Sequence, residues 1–186
     1  MNFDIRSVSQ PEGWQPNEYQ RTLLERLGTQ DPAAVQSETP TAIRVLIVEA
    51  GDDLRTRPAK TEWSVYLCIA HIVDAELVLA GRYRWILAHD QPDILPYDQD
   101  LWVNRFHAAQ DEDVADLLDP FEALRRADVE LWEHTPAAER SRLGVHRERG
   151  PESYGLTFRL AAGHDLLHMN QARKALEQVR AAGTRG

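Results

Sequence analysis

The stretch SVYLCIAHIVDAELVLAGRYRWILAH, residues 64–89, carries the clearest helix signal in the chain. Its apolar stripe has helical spacing and includes one histidine. With Trp63 just before the stretch, the stripe is formed by Trp63, Leu67, His71, Ala75 and Val78. Ser64 is a residue type that caps helix N-termini, and no proline interrupts the stretch. The sequence therefore predicts an amphipathic helix of about seven turns with His71 on its inward face.

Four other segments have apolar residues three to four positions apart, as helices require. The predicted helices span residues 17–27, Thr39 to Leu54, Asp111 or Asp113 to about His134, and Glu152 or Ser153 to about Arg180. Pro120 either kinks the third of these or marks its true first turn. Residues 1–16 contain two prolines and predict an irregular segment, and QPDILPYDQDLWVNRF, residues 91–106, predicts a long ordered loop.

The fold class follows from these segments. No stretch has the sustained period-two alternation of a strand, and no repeat of 20–50 residues is visible. A chain of 186 residues has the length of one ordinary domain. The sequence therefore predicts a single all-α domain over residues 1–186, with four or five helices packed around one core.

Composition narrows the possible partners. The formal charge of −9 would repel a phosphate backbone, so nucleic acid is a poor candidate partner. Cys68 is the single cysteine, which excludes an intramolecular disulfide and a cysteine-rich metal knuckle. The N-terminus lacks a secretory signal, and no run of about 18 apolar residues occurs. We expect a cytoplasmic protein that neither spans a membrane nor is exported.

Three histidines are candidate metal ligands. His164 and His168 lie one helical turn apart in HDLLH, so both imidazoles project from one face and can reach one ion. His71 lies on the inward face of another long helix, and two helices of a bundle can bring such residues together. Alone, each feature is more typical of hydrogen-bonded core histidines than of metal ligands. Together they predict a divalent metal site, with Zn or Ni favoured and Fe as a further candidate, because imidazole is a borderline ligand.

Two other metal motifs fit less well. HDLLH has the register of the HExxH metalloprotease helix, but Asp165 replaces the glutamate base and no histidine follows His168. A di-iron bundle requires Glu-x-x-His pairs, whereas Ala161 and Asp165 occupy the positions three before the two histidines. The sequence therefore favours a mononuclear site.

Neighbouring residues suggest further roles. Asp74 follows His71 by three positions and Gln171 follows His168 by three, so each could contact a ligand or be an ordinary solvated polar group. We predict Asp74 and Asp165 as candidates for moving a proton. Cys68 could approach the metal but is more typical of a small core residue. The other histidines are expected to face solvent; they are His89, His107, His134 and His146.

With these residues in place, the chain resembles the DinB/YfiT-like superfamily of four-helix-bundle metal proteins. The resemblance lies in EWSVYLCIAHIVDAE (residues 62–76), ILPYDQDLW (94–102) and HDLLHMNQ (164–171), in that order. It implies an up-down-down-up bundle, commonly a homodimer, in which His71, His164 and His168 are the metal ligands. It also implies metal-dependent hydrolysis, or transfer or isomerisation that uses a low-molecular-weight thiol such as bacillithiol or mycothiol.

Three functional hypotheses follow from the sequence. The first is an enzyme whose metal activates water or a thiol against a small-molecule substrate. The second is a protein that binds metal or a small ligand without turnover, for example in a stress response. The third is a structural bundle whose histidines bind nothing.

Overall fold

The computed structural model describes residue 10, residues 13–108 and residues 113–183. Within this part of the chain the α-helices are α1 (Glu18–Leu27), α2 (Pro32–Ala50), α3 (Val65–Ala88), α4 (Gln99–Trp102), α5 (Val114–His134) and α6 (Tyr154–Gly183). A π-helical turn, Val103–His107, continues α4. The predicted irregular N-terminal segment lies mostly outside the described residues, and residues 14–16 are irregular.

Helices α2, α3, α5 and α6 form a four-helix bundle. Both α6 and α5 pack between α2 and α3, on opposite sides, so α2 and α3 are diagonal partners. Helix α1 packs on α6. The predicted four-helix bundle is confirmed.

Side-chain contacts give the helix directions. Helices α2 and α6 run parallel, since Gln36 Nε2 donates to the Phe158 carbonyl near their starts and Arg180 donates to the Glu49 carbonyl near their ends. Helix α3 runs antiparallel to α6, because the Tyr83 ring near its end lies 5.6 Å from that of Phe158. Helices α2 and α5 run antiparallel, because Gln36 near the start of α2 contacts Arg125, whereas Arg44, later in α2, pairs with Glu122, earlier in α5. The order is up-down-down-up, as predicted.

Most helix boundaries agree with the sequence prediction. Asn17 caps α1 in a capping box, and Ser64 caps α3 by accepting a hydrogen bond from the Leu67 backbone. Helix α5 starts after Asp113, its N-cap, and contains Pro120 in its interior. Asp111 lies outside the described residues. Helix α6 starts at Tyr154, slightly later than predicted.

The predicted start of α2 at Thr39 is wrong, because the helix begins at Pro32 with Asp31 as its N-cap. Pro40 lies inside the helix, where it cannot donate a hydrogen bond to the carbonyl of Gln36. Arg125 from α5 donates to that carbonyl instead, at 3.2 Å. A contact between distant segments therefore makes the interior proline tolerable.

A small sheet corrects the expectation that the chain has no strand. Its strands are β1 (Asp93–Ile94), β2 (Leu143–His146) and β3 (Gly150–Ser153). Strand β2 pairs parallel to β1 and antiparallel to β3. Strands of two to four residues are too short to show a period-two pattern, which is why the sequence prediction missed them. The sheet lies against α3, where a Cβ on Gly144 would come within 2.8 Å of Ile86 Cγ1.

Within the described residues, no helix combines the length and apolar character needed to cross a lipid bilayer.

Candidate metal centre

Antiparallel packing of α3 and α6 brings the three predicted histidines together. Nε2 of His71 lies 2.9 Å from Nε2 of His164. The third ligand candidate is His168. One ring nitrogen from each of the three histidines lies within 4.8 Å of the other two. Metal–imidazole bonds are about 2.0–2.1 Å long, so small side-chain movements suffice to place all three nitrogens around one ion.

Local geometry explains this convergence. His164 and His168 are four residues apart in α6 and therefore face the same way. His71 lies on the buried stripe of α3, which contacts α6. Gly163, next to His164, allows the backbone of α1 to approach closely, since a Cβ there would lie 2.3 Å from the Leu23 carbonyl oxygen.

The electrostatics of the cluster favour neutral imidazoles. Burial lowers the pKa of His71 to about 3, with His168 as a second cause. Burial also lowers the pKa of His164 well below its ordinary value and lowers that of His168. Neutral imidazole is the form that binds metals, so all three side chains are in the ligating state at neutral pH.

Hydrogen bonding orients one of these rings. His168 Nδ1 lies 2.8 Å from Gln171 Oε1, and because the amide oxygen only accepts, Nδ1 carries the proton. The Nε2 lone pair of His168 is then free to bind an ion. His71 and His164 present Nε2 to each other, and in the described residues their buried Nδ1 atoms have no hydrogen-bond partner. The donor set of three convergent nitrogens fits a borderline divalent ion.

Aromatic side chains form the walls of the cluster. The Trp63 ring stacks on His168 with a centroid distance of 6.1 Å and lies 5.2 Å from the His71 ring. Tyr97, from the loop before α4, lies 6.5 Å from His71. These rings shield the histidines from water and strengthen electrostatic interactions inside the site.

The structure does not bring the two predicted carboxylates into the ligand group. Asp74 Oδ2 lies 3.1 Å from His107 Nε2. Asp165 forms a close ion pair with Arg125, and its Oδ2 lies 2.9 Å from Thr39 Oγ1. Cys68 is a buried core residue outside the cluster. The contact predicted for Gln171 with His168 is present.

Two histidines expected to face solvent are buried. His107 contacts Asp74 from the π-helical turn, and His146 lies at the end of β2. His107 follows the segment that the sequence predicts only as a loop. His146 belongs to a strand that the sequence prediction missed. His89 and His134 are exposed, as predicted.

A buried ion cluster next to the histidines was not anticipated from the sequence. Arg125, 2% exposed, pairs with Asp165 and also with Glu76, whose Oε1 lies 2.9 Å from Arg125 Nε. Burial raises the pKa of Glu76 to about 7, while Arg125 acts in the opposite direction. The cluster connects α3, α5 and α6. It is adjacent to the histidines, because Asp165 immediately follows His164 in sequence.

A cavity of about 680 Å³ opens beside His164. This volume is in the usual range for small-molecule sites. Its apolar lining comes mainly from α3 and α6; these residues are Ala75, Leu79, Leu160 and Ala161. Polar side chains line the remainder, among them Arg82 from α3, Tyr97 from the loop before α4, and His146 and Arg149 from β2 and the turn after it. A small molecule in this cavity would lie in contact with the histidine cluster.

Replacing Gln171 with alanine is expected to weaken metal binding by about 10–100-fold, because the hydrogen bond that orients His168 is lost. Competition with a metal-binding dye would measure the affinity. Asn170→Ala, which removes the neighbouring exposed amide, is the matched control and should leave the affinity unchanged. Equal affinities for wild type and Gln171→Ala would show that the hydrogen bond does not support the site.

Comparison with known proteins agrees with this architecture. The sequence profile of the DinB superfamily matches residues 34–172. Among solved structures the fold is similar to YfiT from Bacillus subtilis, with a TM-score of 0.71 and 18% sequence identity over 95% of this chain and 94% of that one. YfiT is described as a probable metal-dependent hydrolase with an unusual four-helix bundle topology. No curated protein sequence matches the chain.

The fold and the cluster define a class of protein: a four-helix bundle with three convergent histidines beside a small-molecule cavity. Within that class, the chain belongs to the DinB superfamily.

Proposed function

We propose that this protein is a metal-dependent enzyme that acts on a small molecule. His71, His164 and His168 would hold one divalent ion, with zinc or nickel favoured and iron as a further candidate. The observation that supports this proposal is the convergence of three buried, neutral imidazoles at the edge of a 680 Å³ cavity. When bound, the ion supplies a Lewis acid that generates a nucleophile from water or from a low-molecular-weight thiol near neutral pH.

The chain contributes positioning and exclusion of water. Gln171 fixes the tautomer and ring orientation of His168. Trp63 and Tyr97 cover the histidines, and the apolar lining of the cavity limits competing access of bulk solvent. Three protein ligands leave further coordination positions for a reactant, as is usual in catalytic sites.

Geometry favours Asp74 over Asp165 as the group that moves a proton. The carboxylate of Asp165 is occupied by Arg125 and Thr39. Asp74 lies one turn from His71 on α3, and its hydrogen bond with His107 connects it to a second titratable side chain. An Asp–His pair of this kind can accept and pass on a proton.

A second candidate function is binding of metal or a small ligand without turnover. The observation that favours it is that, among the described residues, neither predicted proton-transfer carboxylate belongs to the group of side chains that converge on the ion position. Under this alternative, metal affinity would persist while no substrate is converted.

Elemental analysis of gently purified protein tests the metal site. Wild type should carry about one equivalent of a transition metal, and His168→Ala should lose it because two imidazoles hold such an ion weakly. His89→Ala removes an exposed histidine and is the matched control. Wild-type protein without metal, even after reconstitution with Zn²⁺ or Ni²⁺, would disprove the proposal.

Assays with a model electrophile separate the two proposed chemistries. The reconstituted protein would be given the electrophile with bacillithiol, mycothiol, glutathione or no thiol. Turnover that requires a thiol identifies a transferase, and turnover without one identifies a hydrolase. Silence across a broad substrate panel, with metal retained, would support the binding function instead. The homodimer implied by the family resemblance stays a prediction.

A further inference from the structure

The cavity beside His164 has an unusual polar wall at the end farther from the histidines. On α3, Arg82 lies eleven residues after His71, which corresponds to about 16 Å along the helix axis. Because α6 is antiparallel, Arg82 lies near the start of α6, where Thr157 also lines the cavity. His146, at the end of strand β2, and Arg149, in the turn after it, line the cavity at the same end.

Arg82 is a buried cation that no carboxylate pairs with in the described part of the chain. It is 6% exposed, and Nη2 donates to the Leu95 carbonyl at 2.6 Å. Among the residues that the structure describes, its Nε has no hydrogen-bond acceptor, and Glu152, the carboxylate whose charge acts on Arg82, forms its ion pair with Arg149 instead. Arg125, the other deeply buried arginine, has two carboxylates. A buried charge that lacks a counter-ion is costly, so the anionic group of a ligand would be stabilised beside it.

Within the described ranges, His146 adds a second unsatisfied donor to the same wall. Its side chain is 1% exposed, and Nδ1 accepts a hydrogen bond from the Glu148 backbone N–H at 3.3 Å. Burial lowers the pKa of this histidine to about 4, with Arg149 as the next cause, so the ring is neutral. The single proton of the neutral ring is therefore on Nε2. That buried N–H has no partner among the described residues.

Other charges near this wall do not cancel Arg82. Arg149 is paired with Glu152 through two hydrogen bonds, of 2.6 and 3.0 Å, and these two charges balance. Glu18 and Glu148 line the cavity but are exposed, so water screens their charges. The net charge of the buried wall is thus positive, and both unsatisfied groups are donors. This combination recognises oxygen atoms that carry negative charge.

We propose that the cavity binds a small molecule carrying a carboxylate or a similar anionic group, which Arg82 and His146 recognise. The apolar part of the molecule would lie against Leu79 and Leu160, between the anionic end and His164. This inference specifies the substrate class of the proposed enzyme and rests on the proposed function only for treating the ligand as a substrate. A negative charge about three helical turns from the ion would orient the reacting end towards the metal.

Binding of 4-phenylbutyrate and of its neutral amide, 4-phenylbutyramide, tests the proposal by calorimetry. The full-length protein would be used as purified and again after chelation of metal. The carboxylate should bind at least about tenfold more tightly than the amide in both preparations, because charged hydrogen bonds to Arg82 are worth more than neutral ones. Equal affinity for the two probes, or binding of neither, would overturn the proposal.

Variants identify which residue reads the charge. Arg82→Gln should abolish the preference for the carboxylate, Arg82→Lys should retain part of it, and His146→Gln should reduce it by a smaller factor. Arg147→Gln makes the same charge change at an exposed arginine outside the cavity and should behave as wild type. Circular dichroism melts would verify folding of each variant. A carboxylate preference that persists in folded Arg82→Gln would contradict the assignment.

The two proposals fail in different ways. A wild-type protein that holds stoichiometric metal but shows no preference for the carboxylate would refute the anion site alone. Absence of metal with the carboxylate preference intact would refute the metal enzyme alone.

Discussion

Replacing Arg125 with methionine is expected to lower the free energy of unfolding by about 3–5 kcal/mol. The substitution keeps the apolar volume but removes the only cation that pairs with both Glu76 and Asp165 in the described structure. It also removes the donor to the Gln36 carbonyl, which Pro40 leaves without its helical partner. Two buried carboxylates and one carbonyl would then lack their present partner. Urea denaturation followed by circular dichroism would measure the change.

Arg126→Met is the matched control, because this neighbouring arginine is exposed. It should change stability by less than about 0.5 kcal/mol. If unpaired carboxylates cause the loss, adding Glu76→Gln and Asp165→Asn to Arg125→Met should recover part of it, since neutral amides are less costly to bury. A stable Arg125→Met protein would show that water or rearrangement compensates the buried charges.

Replacing Gly163 with alanine is expected to destabilise the protein by about 1–3 kcal/mol. The new Cβ would lie 2.3 Å from the Leu23 carbonyl oxygen and 2.7 Å from its carbonyl carbon. These are backbone atoms of α1, so the clash cannot be relieved by a side-chain rotation. Helix α1 must move away from α6, and the contacts of Leu23 and Leu24 with Leu156 and Leu160 would loosen.

The same substitution should weaken metal binding, because His164 follows Gly163 directly in α6. Thermal melts and a metal competition assay would measure the two effects on one sample. Gly81→Ala is the matched control, since its Cβ would make an ordinary 3.5 Å contact with the Trp85 ring. It should leave stability equal or raise it by up to about 1 kcal/mol, the helix propensity difference. Equal effects at the two glycines would contradict the steric argument.

The sequence alone determined the helices whose signals are local. Residues 64–89 have a helical stripe and a capping serine, and α1 has its capping box and terminal glycine within twelve residues. The three histidines could also be predicted from the sequence, because helical spacing fixes the face on which each side chain lies. In a small bundle, side chains that point inward from adjacent helices share one core. The convergence of His71 with His164 and His168 therefore follows from the same periodicity.

Only the tertiary structure decided which polar residues are paired, and with what. Asp165 appeared from the sequence to be a proton-transfer group, yet it binds Arg125, 40 residues away, and Thr39, 126 residues away. The early start of α2, the small sheet and the burial of His107 and His146 likewise depend on contacts between distant segments. Helical periodicity repeats every 3.6 residues and is written in neighbouring positions, whereas buried charges are satisfied by whatever residue packing brings near.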